Sequence, residues 1–155
     1  MLEIFKKKGI KEIYSPVYGE SILLENVPDK VFSTKMMGDG IAFNLTGDEI
    51  YAPCDAKVVM IPKTKHAIGL KANGTEILIH IGINTVSLGG KGYTLYTKLG
   101  SRVKRGDLLL KIDREFMNKA KADLTTVMII TSTDSKLDIS NPSKVDLDSV
   151  VIRLV

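Results

Sequence analysis

Short β-favouring segments, broken every few residues by Gly, Pro, Asn or Asp, run the length of this chain. They occur near residues 12–14, 20–24, 42–45, 49–51, 57–61, 67–71, 76–81, 85–88, 108–112, 126–131 and 150–154. Close turn signals between short strands predict an all-β sandwich or barrel. Helical periodicity is weak. It predicts one turn over 28–32, a short stretch over 114–121 and a further turn over 93–98. Tyr14-Ser15-Pro16-Val17-Tyr18-Gly19 is echoed by Tyr51-Ala52-Pro53-Cys54-Asp55-Ala56, each ahead of an apolar strand. The echo suggests a pseudo-symmetric pair of sheets but is too short to predict a repeat fold. Val103-Lys104-Arg105-Gly106-Asp107-Leu108 reads as a polar turn feeding a buried strand. Residues 134–149, with Asn141-Pro142, read as a polar surface excursion before a closing strand.

At 155 residues the expectation is a single domain, 1–155, able to bury a real core. The net charge of +4 leans on Lys6-Lys7-Lys8 and Lys11, which read as a solvated, flexible N-terminal segment, 1–11. No basic stripe with interleaved aromatics speaks for nucleic acid. The single Cys54 excludes an intrachain disulfide and suits a reducing compartment. There is no apolar leader, and no run approaches the roughly 20 apolar residues of a membrane helix. A cytoplasmic protein is expected.

The chain has two histidines. His80 lies inside the apolar run Glu76-Ile77-Leu78-Ile79-His80-Ile81-Gly82-Ile83, where an imidazole is costly unless hydrogen-bonded. His66 lies in Thr64-Lys65-His66-Ala67-Ile68-Gly69, across an Asn73-Gly74 turn signal. Opposed residues of a hairpin share a face. Pairing His66 with His80 needs an odd loop such as Ala72-Asn73-Gly74. A two-residue Asn73-Gly74 turn would send the rings to opposite faces unless a β-bulge intervened. The sequence does not choose between these registers; an odd loop or a bulge is the expectation taken here.

If the rings converge, a backbone carbonyl, with Gly82 best placed, accepts the Nδ1 proton of His80 and leaves Nε2 free to attack. His66 donates to an incoming phosphoryl group, and Thr64 orients His66. Two histidines fall short of the ligand set usual for zinc, which would need Cys54 or a remote carboxylate. No metal is expected to be required, although His66 and His80 are possible zinc ligands in a complex. Gly38-Asp39-Gly40 reads as a tight turn sooner than an anion nest, and Gly89-Gly90-Lys91-Gly92 lacks the spacing of a phosphate-binding loop. The segment from Val27 to Met37 gathers Val, Phe and two Met in a turn-rich stretch, suited either to capping the core or to a partner surface.

These residues carry a resemblance. Tyr14-Ser15-Pro16, Val27-Pro28-Asp29 with Phe32, Lys35-Met36-Met37-Gly38-Asp39-Gly40, Ala52-Pro53-Cys54-Asp55, Thr64-Lys65-His66-Ala67-Ile68-Gly69 and Ile79-His80-Ile81-Gly82-Ile83-Asn84-Thr85-Val86 together resemble the glucose-type IIA family of the bacterial sugar phosphotransferase system. The resemblance implies an antiparallel β-sandwich, a distorted barrel of Greek-key or jelly-roll type with a few short helical turns. It implies that His80 takes a phosphoryl group on Nε2 from the phosphocarrier HPr and passes it to a cysteine of a IIB domain, with His66 and Thr64 assisting. Asp29, Val31, Phe32, Met36, Met37, Leu78 and Asn84 fall on the implied docking surface. No cofactor is implied. A monomer is the expectation, with regulatory target proteins as further partners. Asn84 and Ser87 stand where the family usually carries acidic groups, which shifts docking towards carboxylates such as Asp29 or Asp39. The alternatives are a biotinyl or lipoyl carrier module, which needs a lysine at a hairpin tip, and a purely regulatory binding protein.

Overall fold

The computed structural model describes residues 9–155. Lys6-Lys7-Lys8 and the first eight residues of the expected flexible segment lie outside the described residues. Lys11, at the end of that segment, is tied down, its carbonyl accepting the Leu154 amide at 2.8 Å.

The strands in chain order are β1 (Glu12–Tyr14), β2 (Gly19–Leu23), β3 (Asp39–Leu45), β4 (Glu49–Tyr51), β5 (Ala56–Met60), β6 (Ala67–Ala72) and β7 (Thr75–Ile83). They continue with β8 (Tyr93–Leu95), β9 (Arg102–Val103), β10 (Leu108–Ile112), β11 (Asp123–Ser132), β12 (Leu137–Ile139), β13 (Lys144–Val145) and β14 (Val150–Leu154). Two short helices, α1 (Lys30–Ser33) and α2 (Arg114–Lys119), are each started by an aspartate. Asp29 accepts the Val31 amide and Asp113 the Phe116 amide, satisfying donors that a helix start leaves open.

Every pairing is antiparallel. An eight-stranded sheet runs β13-β2-β3-β11-β7-β6-β5-β9, and two three-stranded sheets run β1-β14-β12 and β4-β10-β8. The large sheet ends at β13 and β9 and does not close on itself, so the architecture is a sandwich.

The strand order has an internal dyad. Reading the large sheet from either end pairs β13 with β9, β2 with β5, β3 with β6 and β11 with β7. From Glu12 to Glu49, and from Gly19 to Ala56, the step is 37 residues in both cases. The echoed segments meet at the dyad: the Tyr14 amide donates to the Pro53 carbonyl at 2.9 Å, and the Tyr51 amide to the Pro16 carbonyl at 2.8 Å. The 37-residue step holds for β1/β4 and β2/β5 but not for β3 and β6, which start 28 residues apart, so the echo marks those strand entries and not a sequence repeat of the whole sheet. Its central strands, β11 and β7, are also the longest, and β7 carries His80.

Alternation along β7 decides what each residue does. Ile77, Ile79 and Ile81 point into the main core with Ile68, Leu70, Phe43 and Met128, while Leu78 and His80 face the other way. On that second face Val127, Ile129, Ala42, Leu24, Val27 and Phe32 form a smaller cluster. Ile79 is fully buried. Truncating it removes apolar contacts and leaves a void between the sheets, so Ile79→Ala is expected to lower unfolding free energy by about 2–5 kcal/mol in urea titration.

Two expected elements differ. Residues 85–88 form a 3-10 turn instead of a strand, because Gly82 (φ 83°) and Asn84 (φ 58°) turn the backbone out of the pleat and the Thr85 hydroxyl bonds back to the Ile81 carbonyl at 2.7 Å. Residues 93–95 are strand β8, where a turn was expected over 93–98, because they find a partner in β10. The polar excursion 134–149 contributes β12 and β13, which cover the edges of β14 and β2.

Candidate functional site

The hairpin β6–β7 is tight. Ala72 pairs with Thr75 and Ala67 with His80, with no shift of register, around Asn73 (φ 44°) and Gly74 (φ 82°). Both central residues have positive φ, as the favoured two-residue hairpin turn requires. The expected odd loop or bulge is thus absent from this hairpin. The rings converge all the same, with centroids 5.0 Å apart and planes at 76°. The reason is that His66 precedes the strand. It follows a turn in which the Lys65 amide donates to the Pro62 carbonyl and Lys65 takes φ 57°, so strand alternation does not govern its side chain. The Ile81 amide donates to the His66 carbonyl at 2.7 Å and holds this bend against β7.

Each ring has a hydrogen-bond partner on Nδ1. His80 Nδ1 lies 2.9 Å from the Gly82 carbonyl oxygen, which can only accept. The proton therefore sits on Nδ1, and Nε2 keeps its lone pair. His66 Nδ1 lies 2.5 Å from the Thr64 hydroxyl. Phe32 packs on His80 with centroids 4.8 Å apart. Burial lowers the pKa of both imidazoles, and His66 beside it lowers that of His80 further, against smaller opposing effects of the Gly82 carbonyl and Asp29. Both rings are neutral at pH 7.

Those depressed values make folding pH-dependent. Below about pH 6.5 the unfolded chain binds protons on its histidines while the folded rings still exclude them. Stability therefore declines as pH falls through the unfolded value, and the decline flattens only below the folded ones. Urea midpoints at pH 7.5 and 5.5 measure this; a variant with both histidines replaced by Gln is expected to lose less stability across that window than the parent.

Gly82 has a second constraint. At φ 83°, a Cβ there would approach Thr85 Cγ2 to 2.4 Å. Gly82→Ala is expected to cost about 1–3 kcal/mol and to displace the carbonyl that fixes His80; thermal melts and the imidazole nitrogen NMR shifts of His80 check both effects.

The other residues expected at the site fall into two groups. Phe32 and Leu78 are buried, and Leu78 lies on the His80 face of β7. Val31 (42% exposed), Met36 (76%) and Met37 (40%) are open to solvent on the segment whose Phe32 touches His80, and Asn84 is exposed beyond the end of β7. Asp29 caps α1. Asp39 accepts the Gly40 amide and pairs with Lys35, so neither carboxylate is wholly free for a partner. Sequence reading missed Tyr93, whose hydroxyl donates to the Ile81 carbonyl at 2.7 Å and braces the end of β7. It also missed Val86, exposed in the turn after β7, and Met60, exposed in the same cross-strand row as Leu78. An apolar residue three past the end of the histidine strand was the available signal for Val86; Met60 had none.

The surroundings favour a macromolecular partner. Clefts of 580 and 540 Å³ lie elsewhere, against Tyr96–Leu108 and against the β5–β9 edge. Among the described residues, no three His, Cys, Asp or Glu side chains converge on a metal position. Cys54 is buried, with its thiol pKa pushed up to about 12 by burial, and is no ligand for the histidines. Lys35 sits after α1, paired with Glu25 at 3.1 Å, and not at a hairpin tip, which disfavours the biotinyl or lipoyl reading. No helix among the described residues is long and apolar enough to cross a membrane.

Comparison with known proteins agrees with this geometry. The glucose permease IIA from Mycoplasma capricolum is similar in structure, with a TM-score of 0.85 and 34% sequence identity over 94% of this chain and 96% of that one. The family model for the phosphoenolpyruvate-dependent sugar phosphotransferase system, EIIA 1, matches residues 11–136. With the family model matched over most of its length and the fold shared at that identity, the chain belongs to the EIIA family of that system and acts as a phosphoryl relay in sugar uptake.

Proposed function

We propose that His80 Nε2 is the atom that carries the phosphoryl group, accepting it from phospho-HPr and giving it to a cysteine of a IIB domain. In the first step the P–N bond on HPr breaks as the P–Nε2 bond forms, while the His80 proton stays on Nδ1, donated to the Gly82 carbonyl. In the second step the cysteine thiolate attacks phosphorus, and the P–Nε2 pair returns to nitrogen. Phosphoryl transfer asks mainly for positioning and for donors aimed at the phosphoryl oxygens. The Thr64 hydroxyl donates to His66 Nδ1, which puts the His66 proton on Nε2, where it meets those oxygens.

The observation that carries this reading is the pair of imidazoles 5.0 Å apart, with His80 Nδ1 committed to a backbone carbonyl. Val31, Phe32, Met36, Met37, Leu78 and Asn84 form the docking surface, with Asp29 at its edge. An apolar surround excludes water and accepts more than one partner face. Transfer uses no metal or cofactor of this chain; a zinc ion across His66 and His80 would need a further ligand from a partner. The protein works in the cytoplasm as a monomer, and its phosphorylation state is available for regulatory targets to read.

Incubation with phospho-HPr should yield an acid-labile, alkali-stable phosphoprotein whose phosphorus NMR shift is that of an Nε2-phosphoimidazole. An Nδ1 adduct or a phosphorylated carboxylate would overturn the assignment.

A further inference from the structure

Strand β7 loses its neighbour just where the histidines sit. The pairing of β6 with β7 runs out at Ala67 and His80. The next opposed pair, His66 with Ile81, would exchange two backbone bonds in a regular antiparallel ladder. One of the two is made, the Ile81 amide donating to the His66 carbonyl at 2.7 Å. The bend at Lys65 (φ 57°) carries the chain away before the return bond can form. The Ile81 carbonyl accepts two hydroxyls instead, those of Thr85 and Tyr93, each at 2.7 Å. A carbonyl oxygen has two lone pairs, so these donors saturate it.

The two hydroxyls are not equivalent. Thr85 lies four residues downstream, in the 3-10 turn that follows β7, and moves with that turn. Tyr93 belongs to β8, opposite Ile112 of β10 in another sheet. It is buried, and burial raises its pKa against a smaller lowering by Thr85, so the hydroxyl keeps its proton and donates at neutral pH. Tyr93 therefore ties the end of β7 to a strand that the turn does not carry with it.

Immediately after Ile81 the strand kinks. Ile81 packs in the main core and Ile83 in the smaller cluster, so Gly82 (φ 83°) switches the face that β7 presents. The same kink brings the Gly82 carbonyl to His80 Nδ1, 2.9 Å away. In a neutral imidazole the partner of one ring nitrogen decides which of the two carries the proton. A Gly82 carbonyl free to drift would let the proton pass to Nε2, and the lone pair that attacks phosphorus would be lost.

We propose, resting on the relay reading above, that Tyr93 is a positioning residue for phosphoryl transfer. Its hydroxyl clamps the Ile81 carbonyl, fixes the kink at Gly82 and so holds His80 in the tautomer that leaves Nε2 free. It acts through the backbone and not on the phosphoryl group, so the surface that meets a partner is untouched.

Tyr93→Phe removes the hydroxyl alone and keeps the ring, so the core stays filled. Ile112→Val, on the strand paired with Tyr93, loosens the packing and leaves the hydroxyl in place; it shows what lost stability does by itself. Labelling of His80 is timed with phosphoramidate, a small donor that needs no docking, and with saturating phospho-HPr. Failure of both donors to label the parent on His80 would sink the relay reading. With the parent labelled, Tyr93→Phe is expected to slow both donors by a common factor of about threefold to tenfold, the worth of one net hydrogen bond. KM for phospho-HPr should stay at the parent value. The nitrogen NMR shifts of His80 should show part of the proton moved from Nδ1 to Nε2, which lost stability alone does not produce. A smaller loss of rate, a loss matched by Ile112→Val, a change confined to KM, or parent-like His80 nitrogen shifts would each overturn the positioning role and leave the relay reading standing.

Discussion

His80→Gln is expected to leave the protein folded and unable to hold phosphate. Gln is close in length to the Nε2 side of imidazole, and position 80 is only partly buried, so the sheet tolerates it. Its amide nitrogen is not a nucleophile, because its lone pair is delocalised into the carbonyl. Removing the attacking atom of a covalent relay costs on the order of a million-fold, which reads as no label at all. On the proposed assignment His66 does not substitute, because with the Thr64 hydroxyl donating to its Nδ1 its Nε2 carries the proton. Radiolabelling from phospho-HPr, followed by acid lability and peptide mass mapping, checks the result. Stable label on the variant would mean that another residue is the acceptor.

His66→Gln gives the second large effect, and a different one. The Gln amide still offers an N–H to an incoming phosphoryl group, so labelling of His80 persists. It cannot become a cation. With the phosphoryl group on His80 as proposed, a dianion would sit beside His66 and draw a proton onto the ring, opposing the burial that lowers its pKa in the bare protein. The resulting charge-assisted bond stabilises the departing phosphoryl group. Loss of one such donor is worth about 10²–10³ in rate. Onward transfer to IIB is expected to slow by about that factor while acceptance stays measurable, as followed by decay of the phosphoprotein after mixing with IIB. Normal onward transfer by the variant would remove the role given to His66.

Much of this was written in local chemistry. The strands over 12–14, 49–51, 108–112 and 150–154 appear where turn residues bracket β-favouring runs. The Gly82 carbonyl and the Thr64 hydroxyl were legible because each lies two residues from its histidine, within reach in an extended chain. What misled was the register. Strand alternation, applied to His66, demanded an odd loop, whereas Lys65 in a left-handed conformation bends the chain just before β6 begins and frees His66 from the pleat. Residues 85–88 misled in the same way: Val and Leu favour strands, but two positive-φ positions upstream had already ended one.

By itself, the sequence determined the strand chemistry, the two imidazoles and their Nδ1 partners, since these depend on neighbours within two or three residues. Only the tertiary structure decided that the two rings meet, that the echoed segments bond to each other, and that Lys57, Lys71 and Arg102 stand in one row on the His80 face. Each of those relations joins residues from different strands, and the pairing of strands is settled by burying one face of the sheet, a cooperative outcome that no local segment encodes.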